Sequence, residues 1–158
     1  MQNLTSEKKR YHASYLRVST NMQFSGMESQ MRSIEKYYKD NDITNYKIFK
    51  DSAISGAKDS RPALDKMMEE IRDGNIIQVT TFSFSRLSRS CSHLLRCLET
   101  MKTHDCYLVS LSEKIDTNSS LGLALVAILG ALAQLERDLI SDGIKNSRRP
   151  LNSWAMIN

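Results

Sequence analysis

The chain is poor in the residues that build disulfide scaffolds and metal centres. Among its 158 residues are three cysteines, Cys91, Cys97 and Cys106. Their number is odd and no two form a CxxC pair, which argues against a disulfide framework and a structural zinc site; reduced thiols in a cytoplasmic protein are the expectation. The three histidines, His12, His93 and His104, show no ligand spacing such as HxxxH and lie in no nucleophile motif, so they read as ordinary surface or helix residues. Clustered carboxylates are missing too, because Asp51, Asp59 and Asp65 do not make the constellation a metal-dependent nuclease needs. No metal and no cofactor is expected. The N-terminus, MQNLTSEKKRYHA, is charged and has no apolar stretch, which speaks against an export signal. The one long apolar run, Leu121 to Leu135, falls short of the ~20 residues that span a bilayer and contains Gln134.

What is present fits a globular domain: 41% of residues are hydrophobic and 25% charged, without an internal repeat or low-complexity tract. Lys and Arg outnumber Asp and Glu by 22 to 18, a net charge of +4 and a mild bias toward a polyanionic partner.

Apolar and turn segments alternate in a βαβ rhythm. Strands are expected over Tyr11–Val18, Tyr46–Lys50, Asn75–Phe82 and Cys106–Leu111, and helices over Met27–Asn41, from Arg61-Pro62 to Asp73-Gly74, and from about Ser90 to His104. Asp51–Ser60 reads as a polar loop, and Pro62 and Gly74 follow the usual proline-first, glycine-last asymmetry of a helix. The fold class is α/β, a mostly parallel sheet of four to five strands with flanking helices and a long C-terminal helix. That last helix, Ser119–Asn146, would be roughly 40 Å long. Its apolar half has more hydrophobic surface than one sheet face can cover, which points to a partner subunit. The expected organisation is an N-terminal extension (1–10), an α/β core (11–118), the long helix (119–147) and a short basic tail (148–158).

Three short segments carry candidate chemistry. In YLRVST, Arg17 and Ser19 are two apart on a strand and share a face, and a guanidinium beside a hydroxyl suits a phosphate. The same hexapeptide is also compatible with a strand end capped by Ser19 or Thr20. In FSRLSRS (84–90), Arg86 and Arg89 are three apart, so a helical turn would place them together near free backbone N–H groups. A solvated basic turn is the alternative. In SGAKDSRPAL (55–64), Arg61 stands at a helix start after the flexible Gly56.

Taken together, these segments resemble the catalytic domain of the serine recombinases, the resolvase and invertase family of site-specific DNA recombinases, over Tyr11 to about Asn146. The residues that carry the likeness are Tyr15, Arg17, Val18 and Ser19; Gln30; Asp51, Ser55, Gly56 and Arg61; Arg86, Leu87 and Arg89; and Gln134, Glu136 and Arg137. The resemblance implies that Ser19 attacks a DNA phosphodiester to form a 5′-phosphoserine link. Arg17, Arg86 and Arg89 would bind the phosphate, and Arg61 would complete the cluster when its loop closes. Tyr15, Gln30, Asp51 and Ser85 would have supporting places. It also implies a homodimer through Leu121 to Leu135, a tetramer on paired DNA sites, and DNA contacts from Arg137, Lys145, Arg148 and Arg149.

Two positions depart from the family pattern. Ser85 stands where many members have an acid before the first arginine of the motif, and Gly143 stands where an arginine is common, at a cost of ~1 kcal/mol in helix propensity. The segment after Arg148 is too short for a DNA-reading module, so base recognition is not expected from it. A non-catalytic or truncated recombinase-like DNA-binding or assembly module is the alternative reading.

Overall fold

The computed structural model describes residues 9–19, 24–53 and 60–147, with the side chains of all of these except 19, 24, 25, 53 and 145–147. Five strands form one sheet in the order β2-β1-β3-β4-β5. They are β1 (Tyr11–Ser19), β2 (Tyr46–Ala53), β3 (Ile76–Thr81), β4 (Tyr107–Ser110) and β5 (Ile115–Asp116). All neighbours are parallel except β4 and β5, which are antiparallel. The helices are α1 (Phe24–Asp40), α2 (Pro62–Arg72), α3 (Phe84–Leu87), α4 (Cys91–Thr103) and α5 (Ser120–Ser147).

The sheet is covered on both faces, which is why six of the eight β1 residues from Tyr11 to Val18 are buried, the polar Ser14 and Arg17 among them. One face carries Ala13, Tyr15, Ile76, Val79 and Leu108. Against it α2 sets Leu64, Met67, Met68 and Ile71, and α4 sets Leu94, Cys97, Leu98 and Met101, both at the i, i+3, i+4, i+7 spacing of a single helical stripe. The other face buries Leu16 beneath Ile34 and Tyr38 of α1. Tyr38 also satisfies the polar groups below it, donating to the Ala13 carbonyl at 2.9 Å and accepting from the Ser14 hydroxyl at 2.7 Å.

Helix α2 ends as its sequence indicates. Gly74 has φ +71°, and the N–H groups of Gly74 and Asn75 return to the carbonyls of Ile71 and Glu70, closing a Schellman motif at a positive φ that suits glycine.

Several expectations are corrected. Asp51 is not in a loop: β2 runs on to Ala53, in register with β1, so that Arg17 pairs with Asp51. Helix α1 begins at Phe24, three residues before Met27. Strand β5 has no counterpart in the sequence reading, because a two-residue strand is too short to show alternation. Gly143 does not interrupt α5, which runs unbroken for 28 residues.

Among the described residues, one face of α5 is covered by the chain's own core. Leu129 and Ala133 are buried, Leu125 and Val126 pack on the core, and the Ser92 hydroxyl of α4 donates to Glu136 at 3.3 Å. Gly122 belongs to this face as well: a Cβ there would stand 2.2 Å from the Asp116 carbonyl oxygen. Its small size thus serves the approach of α5 to the β4–β5 hairpin. The other face presents Leu121, Ile128, Leu132, Leu135 and Leu139 to solvent, Leu121 at 63% and Leu139 at 64% exposure.

Candidate active site

The site forms where β1, β2 and the starts of α2, α3 and α4 meet. Tyr15 is fully buried, and its hydroxyl donates to Asp51 Oδ2 at 2.9 Å. Burial, reinforced by the Asp51 carboxylate, pushes the Tyr15 phenol well above its ordinary pKa, while the nearby Arg61 and Arg17 charges oppose that rise. Tyr15 is therefore a neutral donor at physiological pH.

The Asp51 carboxylate does a second job. It accepts the N–H of Ala63 at 2.9 Å on Oδ1 and that of Leu64 at 3.0 Å on Oδ2. Those are the N–H groups of the second and third residues of α2, the ones an N-cap side chain normally takes. The N-cap residue itself is Arg61, whose side chain makes no cap hydrogen bond. Because a carboxylate from the neighbouring strand caps the helix, the N-cap position is released to carry a guanidinium.

That guanidinium is directed at the arginine motif. Arg61 Nη1 donates to the Leu87 carbonyl at 2.7 Å, between Arg86 and Arg89 in sequence. Arg61 and Arg17 are both buried, at 9% and 8% exposure. A cavity of about 340 Å³ opens beside Arg61, lined by Ser60, Arg61, Leu64, Asp65, Arg89, Ser90 and His93. Two arginines against one aspartate give it a surplus of positive charge, suited to a phosphate.

Arg86 and Arg89 do not share a helical turn. Helix α3 ends at Leu87, Ser88 is extended with φ −145° and ψ 151°, and α4 begins only after its N-cap Ser90. Arg86 therefore sits half-buried on one helix, while Arg89 is exposed in the turn before the next. An extended residue between them turns the chain, so spacing alone mispredicted their relation.

Ser19 is the last residue of β1, paired with Ala53, and its side chain lies outside the described residues, as do Ser55 and Gly56. Gln30 is buried in α1 and donates to the Gly26 carbonyl at 3.2 Å. Ser85 is exposed, its hydroxyl 2.9 Å from that of Ser83. On α5, Arg137 is exposed and donates to Gln134 Oε1 at 2.8 Å. The Lys145 side chain, Arg148 and Arg149 lie outside the described residues.

Two residues at the site carried no sequence signal. Glu113, in the β4–β5 turn, accepts the Phe84 N–H at 3.4 Å and the Ser110 hydroxyl, bringing a carboxylate to the start of α3, one residue before Ser85. His93 lines the cavity and touches the Ser88 hydroxyl at 2.8 Å. Neither lies in a motif, since each reaches the site through tertiary contacts. Among the described residues, no group of three or more His, Cys, Asp or Glu is arranged to hold a metal ion. No helix among them is long and apolar enough to cross a membrane.

Residues 12–150 match the family model described as Resolvase, N terminal domain. The chain is 31% identical over 138 residues to the Transposon Tn917 resolvase of Enterococcus faecalis, covering 85% of this chain and 69% of that one. It is 34% identical over 126 residues to the DNA-invertase of Escherichia phage P1, covering 80% and 62%. The chain thus spans about two thirds of the length of these relatives. Among solved structures, a resolvase family site-specific recombinase from Streptococcus pneumoniae superposes with TM-score 0.71 at 28% identity, covering 89% of this chain and 100% of that one. The N-terminal catalytic domain of TP901-1 integrase superposes with TM-score 0.67 at 29% identity, covering 82% and 98%. The likeness read from the arginine and serine motifs and the likeness of the whole fold lead to one family: the chain belongs to the resolvase N-terminal domain family and is the catalytic domain of a site-specific serine recombinase.

Proposed function

We propose that this domain cuts and rejoins DNA through Ser19. The Ser19 oxygen bonds to phosphorus, the bond from phosphorus to the 3′ oxygen breaks, and the proton lost by the serine ends on the departing 3′ hydroxyl. The product is a 5′-phosphoserine link. Rejoining is the reverse attack by a 3′ hydroxyl, and since one phosphate ester replaces another, the step needs neither ATP nor a metal. Arg17, Arg61, Arg86 and Arg89 hold the phosphate and stabilise the charge on its non-bridging oxygens.

The observation that carries this reading is the tie from Arg61 to the Leu87 carbonyl, made by an arginine that a neighbouring strand's Asp51 frees from capping duty. It fixes one buried guanidinium against the chain segment that bears two more, beside the cavity that Arg61 and Arg89 line. Tyr15 and Asp51 support Arg61, and Gln30 and Ser85 take supporting places.

The exposed stripe of α5 supports a homodimer, because Leu121, Ile128, Leu132, Leu135 and Leu139 recur at spacings of seven, four, three and four residues along one helix face. Paired DNA sites then bring two dimers into a tetramer. Arg137, Lys145, Arg148 and Arg149 contact DNA phosphates beyond the dimer contact, and the protein works in the cytoplasm, where its DNA is.

The test is to incubate the chain with supercoiled and with nicked plasmid DNA and resolve the products by denaturing electrophoresis. Protein attached to a 5′ end is expected from the unsubstituted chain, with or without EDTA, and none from Ser19→Ala. An adduct formed by Ser19→Ala, or cleavage that requires Mg²⁺, would refute the assignment.

A further inference from the structure

The hydrogen-bond inventory around Ser88 leads to a residue outside every motif. Ser88 is the extended residue between Arg86 and Arg89. Its hydroxyl donates to the Ser90 carbonyl at 2.9 Å, since a carbonyl can only accept, and it receives the Ser90 N–H at 3.3 Å. With its one proton committed, the hydroxyl can meet the His93 ring nitrogen Nδ1, 2.8 Å away, only as an acceptor. That arrangement calls for the Nδ1–H tautomer of His93. On the other side of the ring, Nε2 lies 3.9 Å from the Cys97 thiol, the weak donor that a bare Nε2 would accept from. The backbone of His93 is tied to the same turn, its N–H donating to the Ser90 hydroxyl at 3.2 Å.

We infer that His93 is a positioning residue for strand transfer, holding the turn that joins Arg86 to Arg89 through its Nδ1–H bond to Ser88. It stands in the wall of the cavity shared with Arg61 and Arg89. The bond sets the direction in which the chain leaves α3, and with it the place of Arg89 relative to the guanidinium that Arg61 anchors on Leu87. Arginine clusters act on a phosphate only when their forks are preset, because misplacement loses transition-state contact while leaving general attraction intact. The role rests on the strand-transfer reading above.

Asparagine supplies the test, since its side-chain N–H occupies the place of Nδ1–H, whereas leucine supplies none. On nicked plasmid DNA, His93→Leu should slow formation of the covalent adduct about tenfold, the equivalent of one lost hydrogen bond, with DNA affinity unchanged within about twofold. His93→Asn should recover the rate to within about threefold. Ser88→Ala, which also gives up the two bonds to Ser90, should be at least as slow as His93→Leu, and the double variant should be no slower than Ser88→Ala alone, because the bond between His93 and Ser88 is already gone from it. Circular dichroism melts monitor folding, and if His93→Leu fails to fold, the Asn and Ser88→Ala variants still decide. The imidazole ¹⁵N shifts of the unsubstituted chain should show the Nδ1–H form. An Nε2–H ring, His93→Asn as slow as His93→Leu, or losses that multiply in the double variant would each overturn the role. Failure of the unsubstituted chain to form any adduct would sink the strand-transfer reading and this role with it. An adduct insensitive to all three variants would sink the role alone.

Discussion

The two halves of this chain solve opposite problems. Around Asp51, charged and polar groups are taken out of water, and the acid's two oxygens accept from Tyr15, Ala63 and Leu64. Along α5, apolar groups are left in water: Ile128 is 57% exposed while Leu129, one residue on, is 8% exposed. The first region is completed inside the chain, and the second leaves a row of apolar side chains open to solvent. A buried polar group without a partner costs on the order of 1–3 kcal/mol, so the first cannot be left open, whereas exposed leucines only forgo a gain that a partner can supply.

The comparison breaks most severely at Asp51. Asp51→Ala removes the cap of α2 and strands the buried Tyr15 hydroxyl, together worth roughly 4 kcal/mol, and a urea unfolding curve should show it. Loss of less than about 1 kcal/mol would mean that α2 and Tyr15 find other partners. A charge on the exposed stripe acts on the other half alone. Ile128→Glu should weaken dimerisation at least about a hundredfold by light scattering, the equivalent of roughly 2.7 kcal/mol, with the melting curve of the monomer unchanged. Unfolding instead of dissociation would show that Ile128 belongs to the core of its own chain.

Glycines sharpen the contrast within α5 itself. Gly143 has no atom within 4 Å of a Cβ position, so Gly143→Ala should stabilise the helix by up to ~1 kcal/mol. Gly122→Ala should destabilise, by about 1–3 kcal/mol, because the added carbon meets the backbone of Asp116 and Thr117. Equal signs in thermal melts would contradict the covered and open faces described for this helix.

The smallest effect is chemical. Burial pushes the Cys106 thiol up from 9.0 to about 12, so it stays protonated at pH 8 and should react with iodoacetamide far more slowly than the less buried Cys91. The unfolded thiol ionises near 9.0 and the folded one near 12, so the stability this difference contributes is whole below pH 9 and is lost as pH rises from 9 toward 12. The Tyr15 phenol, also shifted upward, adds to that alkaline loss once pH passes its ordinary 10.0. A melting temperature that rises from pH 9 to pH 11 would contradict both.

Much of this was legible in the residues themselves. The βαβ order, the parallel sheet, the start of α2 at Pro62 and its end at Gly74 follow from hydrophobic period and backbone preference, which act over a few neighbouring residues. Arg17 and Ser19 at a strand end, and the length of α5, follow in the same way. What the linear order could not hold is any relation set by contact between distant segments. Asp51 caps a helix that begins eleven residues further along because the end of β2 packs against the start of α2, and nothing local marks it as a cap. Arg86 and Arg89 are parted by the extended Ser88, which periodicity read as helix. Glu113 and His93 come to the site from a turn and a helix face whose own sequences are ordinary. Local stereochemistry determined the elements; the pairing of backbones and the satisfaction of buried polar groups, which need the whole chain in place, decided which side chains meet.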